Sequence, residues 1–389
     1  MIACSRACSR RSSLNAERRP ARRHVLPSML LSAVVAMGAW SVGQTNANAQ
    51  GVVNQPPPPT TAVLLVGDLG DNNVKQFDAS TGAYLGTFVS TGAGGLDGPM
   101  GMIFSDGQLV LINQNIDTNI NGEILLFDGT TGMFTNKLVA SSDHNAPFLP
   151  QTGMVRGGPK DRFYVADIGT KGGSCAAEGN VKQYNPFGAF VGSLNRTAFK
   201  PEFHPRGVVF GPDGLLYVSS VGCLNPSDPL FDPLKGYILR FDAQTNQFVD
   251  VFASYVTVPD LHRPEGLVFD NNGNLWVTSF RDNSNANDVD KILKLDGKTG
   301  QLLDTLPLWT PGSARAFAQA ILFGPGGKLF VPITGNLSDT TGELRRCDIT
   351  TNPIHCDTIV KANSAGGPLK SPWFLIFRNS NPATLDYQN

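Results

Sequence analysis

The chain has 389 residues, 41% of them hydrophobic and 16% charged, with a net charge of −1. That balance is ordinary for a folded globular protein and argues against widespread disorder. Glycine (42) and proline (27) make up about 18% of the residues, against about 12% on average, so many tight turns and an all-β fold are expected.

Residues 1–49 stand apart. They hold seven arginines and one acid, Glu17, then an apolar run from Val25 to Trp40, then small residues ending in Ala47-Asn48-Ala49. This is the order of an export signal, with cleavage expected after Ala49. The apolar run is too short for a membrane-spanning helix of about 20 residues. Arg22-Arg23-His24-Val25-Leu26 fits a twin-arginine signal, and an ordinary signal rich in basic residues is the alternative. Without this segment 24 basic residues face 31 acidic ones, a net charge near −7. No basic cluster remains, which argues against nucleic acid and anionic membranes. The mature chain is expected to be a monomer, periplasmic or secreted, with no stable membrane span.

A proline-rich linker follows over residues 50–60, and repetition begins at residue 61. One marker is an apolar strand ending in Asp or Asn before a turn, with that residue at Asp78, Asp128, Asn185, Asp242, Asp296 and Asp348. The side chain accepts bonds from turn amides, and a Gly or Asn behind it takes positive φ. A second marker is Pro-x-Gly, three apolar residues, Asp/Asn-Gly and another strand. Its best copies start at Pro205-Arg206-Gly207 and Pro264-Glu265-Gly266; weaker ones start at Pro99, Gln151 and Ala318. Four strands per unit at this period predict a β-propeller. The first unit lacks an innermost strand, and Trp373–Phe377 arrives in phase to supply it. The expectation is six four-stranded blades over 61–378, closed by the C-terminal strand, with a tail over 379–389.

The four cysteines beyond the signal allow three pairings. Cys347 and Cys356 fall on adjacent strands of the last blade. Cys175 and Cys223 fall in equivalent loops of neighbouring blades. Those two pairs are the expected disulfides of an exported protein. No C-x-x-C spacing supports zinc.

The Pro-x-Gly pattern with Asp/Asn-Gly and Leu-aromatic-Val resembles NHL repeats and the SMP-30/gluconolactonase and streptogramin lyase propellers, over about residues 61–377. The resemblance implies that the residue between Pro and Gly faces the central channel at the ligand-binding end. Here those residues are Met100, Thr152, Arg206, Glu265, Gln319 and Trp373. In SMP-30-like enzymes such positions hold a divalent metal through Glu, Asn and Asp. Glu265 matches the Asp position, Arg206 stands where Asn would be, and Met100 where Glu would be. A guanidinium cannot ligate a cation. Streptogramin lyases use a catalytic His and acids. No ring position is His, although His144, His204 and His262 are placed to line the rim.

Arg206 and Glu265, from neighbouring blades, are expected to pair at the channel mouth. They serve either as a recognition pair for a carboxylate or as a self-neutralising plug. Asp68 and Asp167 end equivalent second strands, with Gln114, Ser220 and Ser279 in matching places. With Glu265 they are candidate ligands for a divalent cation such as calcium, the one cofactor the sequence suggests. Capping of blade turns is the alternative. The loop Asp282–Asp288 lacks the EF-hand spacing. The function indicated is an exported binding or scaffold module for a protein, a glycan or a small molecule. The alternative is a metal-assisted lyase or lactone hydrolase, with Glu265 as base or ligand and Arg206 steadying an oxyanion.

Overall fold

The computed structural model describes residues 62–169, 175, 179–335 and 342–388. The expected signal and linker lie outside the described residues. Among the described residues, twenty-four strands form six antiparallel sheets of four. Blade 1 contains β1 (Val63–Asp68), β2 (Asn73–Asp78) and β3 (Tyr84–Val89). Blade 2 is β4 (Pro99–Ser105), β5 (Gln108–Asn113), β6 (Glu123–Asp128) and β7 (Phe134–Val139). Blade 3 is β8 (Pro150–Gly157), β9 (Arg162–Asp167), β10 (Asn180–Tyr184) and β11 (Phe190–Ser193). Blade 4 is β12 (His204–Phe210), β13 (Leu216–Val221), β14 (Gly236–Asp242) and β15 (Gln247–Ser254). Blade 5 is β16 (Leu267–Phe269), β17 (Leu275–Ser279), β18 (Lys291–Leu295) and β19 (Leu302–Pro307). Blade 6 is β20 (Leu322–Phe323), β21 (Leu329–Ile333), β22 (Glu343–Asp348) and β23 (His355–Val360). The last strand, β24 (Pro372–Phe377), pairs antiparallel with β1 and completes blade 1. The fold is therefore a six-bladed β-propeller, closed as the repeat phase indicated by the C-terminal strand completing blade 1.

The repeated Asp is a turn cap. Asp78 Oδ1 accepts from the amides of Ser80 and Thr81 at 2.9 and 2.8 Å, and Asp128 Oδ1 does the same for Thr130 and Thr131 at 3.0 and 2.7 Å. The glycine behind it takes φ 73° at Gly82 and 71° at Gly132. A Cβ there would also collide with a carbonyl of the preceding blade, Ile359 and Phe88 respectively. One residue thus closes the hairpin and lets neighbouring blades approach.

Apolar side chains of the first three strands of every blade fuse into one core, in which Phe77, Phe127, Tyr184 and Phe241, just ahead of the turn caps, are fully buried. The disulfides Cys175–Cys223 and Cys347–Cys356 are both formed. Cys347 and Cys356 are direct register partners on β22 and β23. The other bridge joins the loops that follow β9 and β13, tying blade 3 to blade 4. Two disulfides fit an oxidising compartment. Among the described residues no helix is long and apolar enough to cross a membrane.

The tail is part of the propeller body. Ser380 and Tyr387 form an antiparallel bridge, and the Tyr387 ring lies 5.3 Å from that of Phe377. Pro382 and Ala383 carbonyls accept from the amides of Arg156 and Phe210 at 2.8 and 3.1 Å, at the ends of β8 and β12. The tail therefore leaves blade 1 and crosses to blades 3 and 4 at the end of the channel opposite the Pro-x-Gly segments. Leu385 is buried there. With Gly153, Gly207, Gly266 and Phe374 it lines a cavity of about 10 Å³, room for one water molecule at most.

Candidate functional site at the channel mouth

The segments that carry the repeat positions abut one another from blade to blade, Met100 to Thr152, Arg206, Glu265 and Gln319 in turn, and two local devices shape them. The first is a break in strand register. Pairing between the first two strands shifts between Pro99 and Met102, between Pro150 and Met154, and between Pro205 and Val208. The register of β24 on β1 shifts beside Trp373. Such bulges re-aim a side chain out of the pleat, and Met100, Thr152, Arg206 and Trp373 occupy them. The second device is the glycine that follows. A Cβ on Gly101, Gly153 or Gly207 would strike the Thr152, Arg206 or Glu265 carbonyl of the next blade. Only glycine lets the blades close to this spacing.

Polar side chains from the second strands lock the ring. Ser219 Oγ accepts from the Gly207 amide at 2.7 Å and donates to the Glu265 carbonyl at 2.8 Å. Thr334 Oγ1 donates to the Pro372 carbonyl and Gln114 Nε2 to the Pro150 carbonyl, both at 2.8 Å. Gln114 thus links blade 2 to blade 3. It is Asn113, not Gln114, that ends β5 in the place equivalent to Asp68 and Asp167. The repeat hid this because Asn113 and Gln114 are both amides.

Those strand-end residues hold the loops that lead into each first strand. Asp68 accepts from the amides of Lys370 and Ser371 at 2.9 and 2.8 Å, from Gly70 at 3.1 Å, and from Lys75 Nζ at 2.6 Å. Asp167 accepts from the amides of Phe148, Leu149 and Gly169 at 2.7, 2.9 and 3.1 Å. Asn113 accepts from the Asp97 amide, and Ser220 and Ser279 accept from the amides of His204 and His262. Asp68, Asp167 and Glu265 stand in blades 1, 3 and 5. Among the described residues the structure gathers them into no common cluster; the one grouping of three potential metal-binding side chains is Cys175, Cys223 and Asp228, whose cysteines are bonded to each other.

Arg206 and Glu265 do meet. Arg206 Nη1 lies 3.6 Å from Glu265 Oε1, and the same nitrogen donates to Gln151 Oε1 at 2.5 Å. A second guanidinium shares that carboxylate oxygen, with Arg263 Nε at 3.2 Å. Glu265 is 1% exposed and Arg206 8%. Burial pushes the Arg206 guanidinium below its ordinary pKa, Glu265 opposes this, and Arg263 adds to it. A divalent cation at Glu265 would have two positive charges within 4 Å of its ligand oxygen, so the carboxylate is arranged for guanidinium, not for metal.

The rest of the ring carries unpaired polar atoms. Thr152 Oγ1, Arg206 Nε and Gln319 Oε1 are buried without a hydrogen-bond partner, as are Ser371 Oγ, His204 Nε2 and His262 Nδ1 in the segments leading to the ring. Buried polar atoms are nearly always satisfied, by protein, water or ligand. His204 is buried, and desolvation holds its pKa below the ordinary value, against a backbone hydrogen bond involving Ile168 that raises it. His262 is half-buried, 4.0 Å from Asp288. His144 is exposed on its loop. In the Asp282–Asp288 loop, Asp282 Oδ1 accepts from Ser284, and Asp288 pairs with Lys291 at 2.5 Å.

Sequence reasoning missed a second layer in blades 5 and 6. Arg263 and Phe317, each two residues before its ring position, adopt φ 43° and 48°, unusual for bulky side chains. Their first strands begin only at Leu267 and Leu322, past the marker. Arg263 stacks on Phe280 at 4.8 Å, and Arg315 on Phe317 at 4.2 Å. Asp290 anchors the blade 6 segment. It accepts from Arg315 Nε and Nη2 and from the amides of Arg281, Ala316 and Phe317. Burial raises its pKa, but the Arg315 bonds and amides prevail and hold it below the usual carboxylate range. The available signal was a basic residue shortly before each of two consecutive ring positions, Arg263 two residues ahead of Glu265 and Arg315 four ahead of Gln319.

The sequence matches no known protein-family description and no curated protein. Solved structures do share its architecture. The luciferin-regenerating enzyme is 15% identical, with 85% of this chain and 92% of that chain covered and a TM-score of 0.50. A gluconolactonase of Xanthomonas campestris is 19% identical over 69% and 78%, with a TM-score of 0.45. Hydrazine synthase of Kuenenia stuttgartiensis is 15% identical over 72% and 77%, with a TM-score of 0.48. At these identities the likeness shows the fold alone: the chain shares the six-bladed propeller of structures that include gluconolactonases.

Proposed function

We propose that this chain is an exported binding module that takes a small ligand at the mouth of its central channel. The observation that carries this reading is the set of orphaned polar atoms on the ring, Thr152 Oγ1, Arg206 Nε and Gln319 Oε1. They belong to blades 3, 4 and 6, and Leu385 lines the small cavity next to Thr152 from the tail side. Buried polar atoms without partners are rare in folded proteins, and a ligand that reaches the ring would supply the missing donors and acceptors. The metal-assisted enzyme is disfavoured because Glu265 faces two guanidiniums.

The test is thermal unfolding of the purified full-length chain after chelation, with Ca²⁺, Mg²⁺, Zn²⁺, benzoate, benzyl alcohol or glucose added in turn. A ligand of the native state raises the midpoint by mass action. The expected result is a saturable rise with an organic probe that weakens in Gln319→Met. A rise with metal alone, lost in Glu265→Gln, would replace this reading with the metal-dependent one.

A further inference from the structure

We propose that the blade 5 and blade 6 side of the mouth binds the carboxylate of a small organic acid, an inference that rests on the mouth being a ligand site. The argument begins with charge. One carboxylate oxygen, Glu265 Oε1, faces both Arg206 and Arg263. The three groups therefore carry one positive charge in excess, with Glu265 and Arg206 almost wholly buried and Arg263 partly exposed at their side, where an incoming anion can reach its guanidinium.

The donors are also unspent. Arg206 Nε has no acceptor. Arg263 bonds Glu265 through Nε, and among the described residues neither of its terminal nitrogens has a recorded hydrogen bond. A guanidinium edge left open in this way fits a carboxylate with two parallel bonds. Nearby acids are engaged elsewhere: Asp290 by Arg315, Asp260 and Asp288 by Lys291, and Asp282 by its own turn at Ser284.

The backbone singles out the same place. Arg263 and Phe317 hold positive φ at matching positions of adjacent blades. In blade 2 that position, Gly98, also has positive φ but carries no side chain. Bulky residues kept in such a conformation mark sites where the side chain is needed. Stacking on Phe280 fixes the plane of the Arg263 guanidinium. Half-buried Phe317 and Trp373, in blades 6 and 1, supply an apolar surface for the body of the acid.

The experiment is isothermal titration of the full-length chain with sodium benzoate, sodium acetate, benzyl alcohol and inorganic phosphate. Benzoate is expected to bind saturably and more weakly as salt rises. Arg263→Gln is expected to weaken it by roughly tenfold or more, the loss of a charge-assisted bond, and Arg263→Lys by less. Phe317→Leu is expected to weaken benzoate but not acetate, a result that does not depend on the arginine variants folding. Benzyl alcohol binding as tightly as benzoate, or phosphate displacing it, overturns the carboxylate assignment and leaves the mouth a ligand site. Failure of every organic probe overturns both.

Discussion

Asp68 was read from the sequence as a candidate metal ligand, and the structure gives it a different task whose energy can be worked out. Its carboxylate accepts from the Lys370 and Ser371 amides just before the closing strand, from the Gly70 amide, and from Lys75. Both Asp68 and Lys75 are buried. Asp68→Ala leaves three amides short of an acceptor and removes one of the two acids that pair with Lys75; the other is Asp71, at 2.5 Å. Breaking a buried pair of this kind costs about 3–5 kcal/mol. Asp68→Asn keeps an acceptor oxygen, and Asn113 does the same work with an amide in blade 2. The cost of Asp68→Asn is expected to be about half as large, since one charge-assisted bond is worth roughly 1.5–3 kcal/mol. The assay is urea unfolding with and without added Ca²⁺. A loss below about 1 kcal/mol for Asp68→Ala, or a loss that appears only when calcium is present, would refute the latch and restore the metal reading.

Three further outcomes follow from the geometry. The Cys175–Cys223 bridge closes 48 residues and Cys347–Cys356 closes 9. In the chain-entropy picture they stabilise by about 4 and 2.6 kcal/mol, so urea unfolding of paired Cys→Ser variants should show the first loss to be the larger. The His204 pKa is depressed by burial, so the unfolded chain binds its proton more readily than the native one. Stability should therefore fall as pH drops below about 6.5, the ordinary histidine value, and His204→Gln should flatten that part of the urea-midpoint profile. Gly207→Ala places a Cβ against the Glu265 carbonyl and should cost about 1–3 kcal/mol as an overpacking change, read by thermal unfolding.

The repeat made the fold legible because each blade needs the same few residues for the same reasons. A turn cap such as Asp78, a positive-φ residue such as Gly82, and a close-approach glycine such as Gly207 recur on schedule, so blade number and ring closure could be counted. The segments ahead of that glycine could be located in the same way. What lay outside the repeat was not. Arg263, Phe317 and Asp290 depend on backbone that leaves the strand conformation, which an alternating pattern cannot signal. Gln151 reaches Arg206 across a blade boundary, 55 positions along the chain. For Asp68 the sequence left cation ligation and turn capping side by side. A carboxylate at a strand end has the right chemistry for either, and only the structure shows the amides of a segment 302 residues away that it accepts from.

The Arg206–Glu265 pair tests whether the mouth is organised around one acid. Removing Glu265 as Glu265→Gln strands two guanidiniums, one of them buried with only Gln151 to accept from it. Removing Arg206 as Arg206→Met leaves Glu265 with Arg263 still 3.2 Å away. The costs should be unequal. Glu265→Gln should approach the roughly 3–5 kcal/mol of a buried charge left without its partner, and Arg206→Met should cost clearly less. The double variant should be less damaged than the sum of the two, because each substitution removes the penalty the other exposes. Urea unfolding of the four proteins measures this directly. Equal single costs that add would mean that the two groups do not sense each other. The surplus positive charge at the mouth, and the carboxylate site inferred from it, would then lose their physical basis.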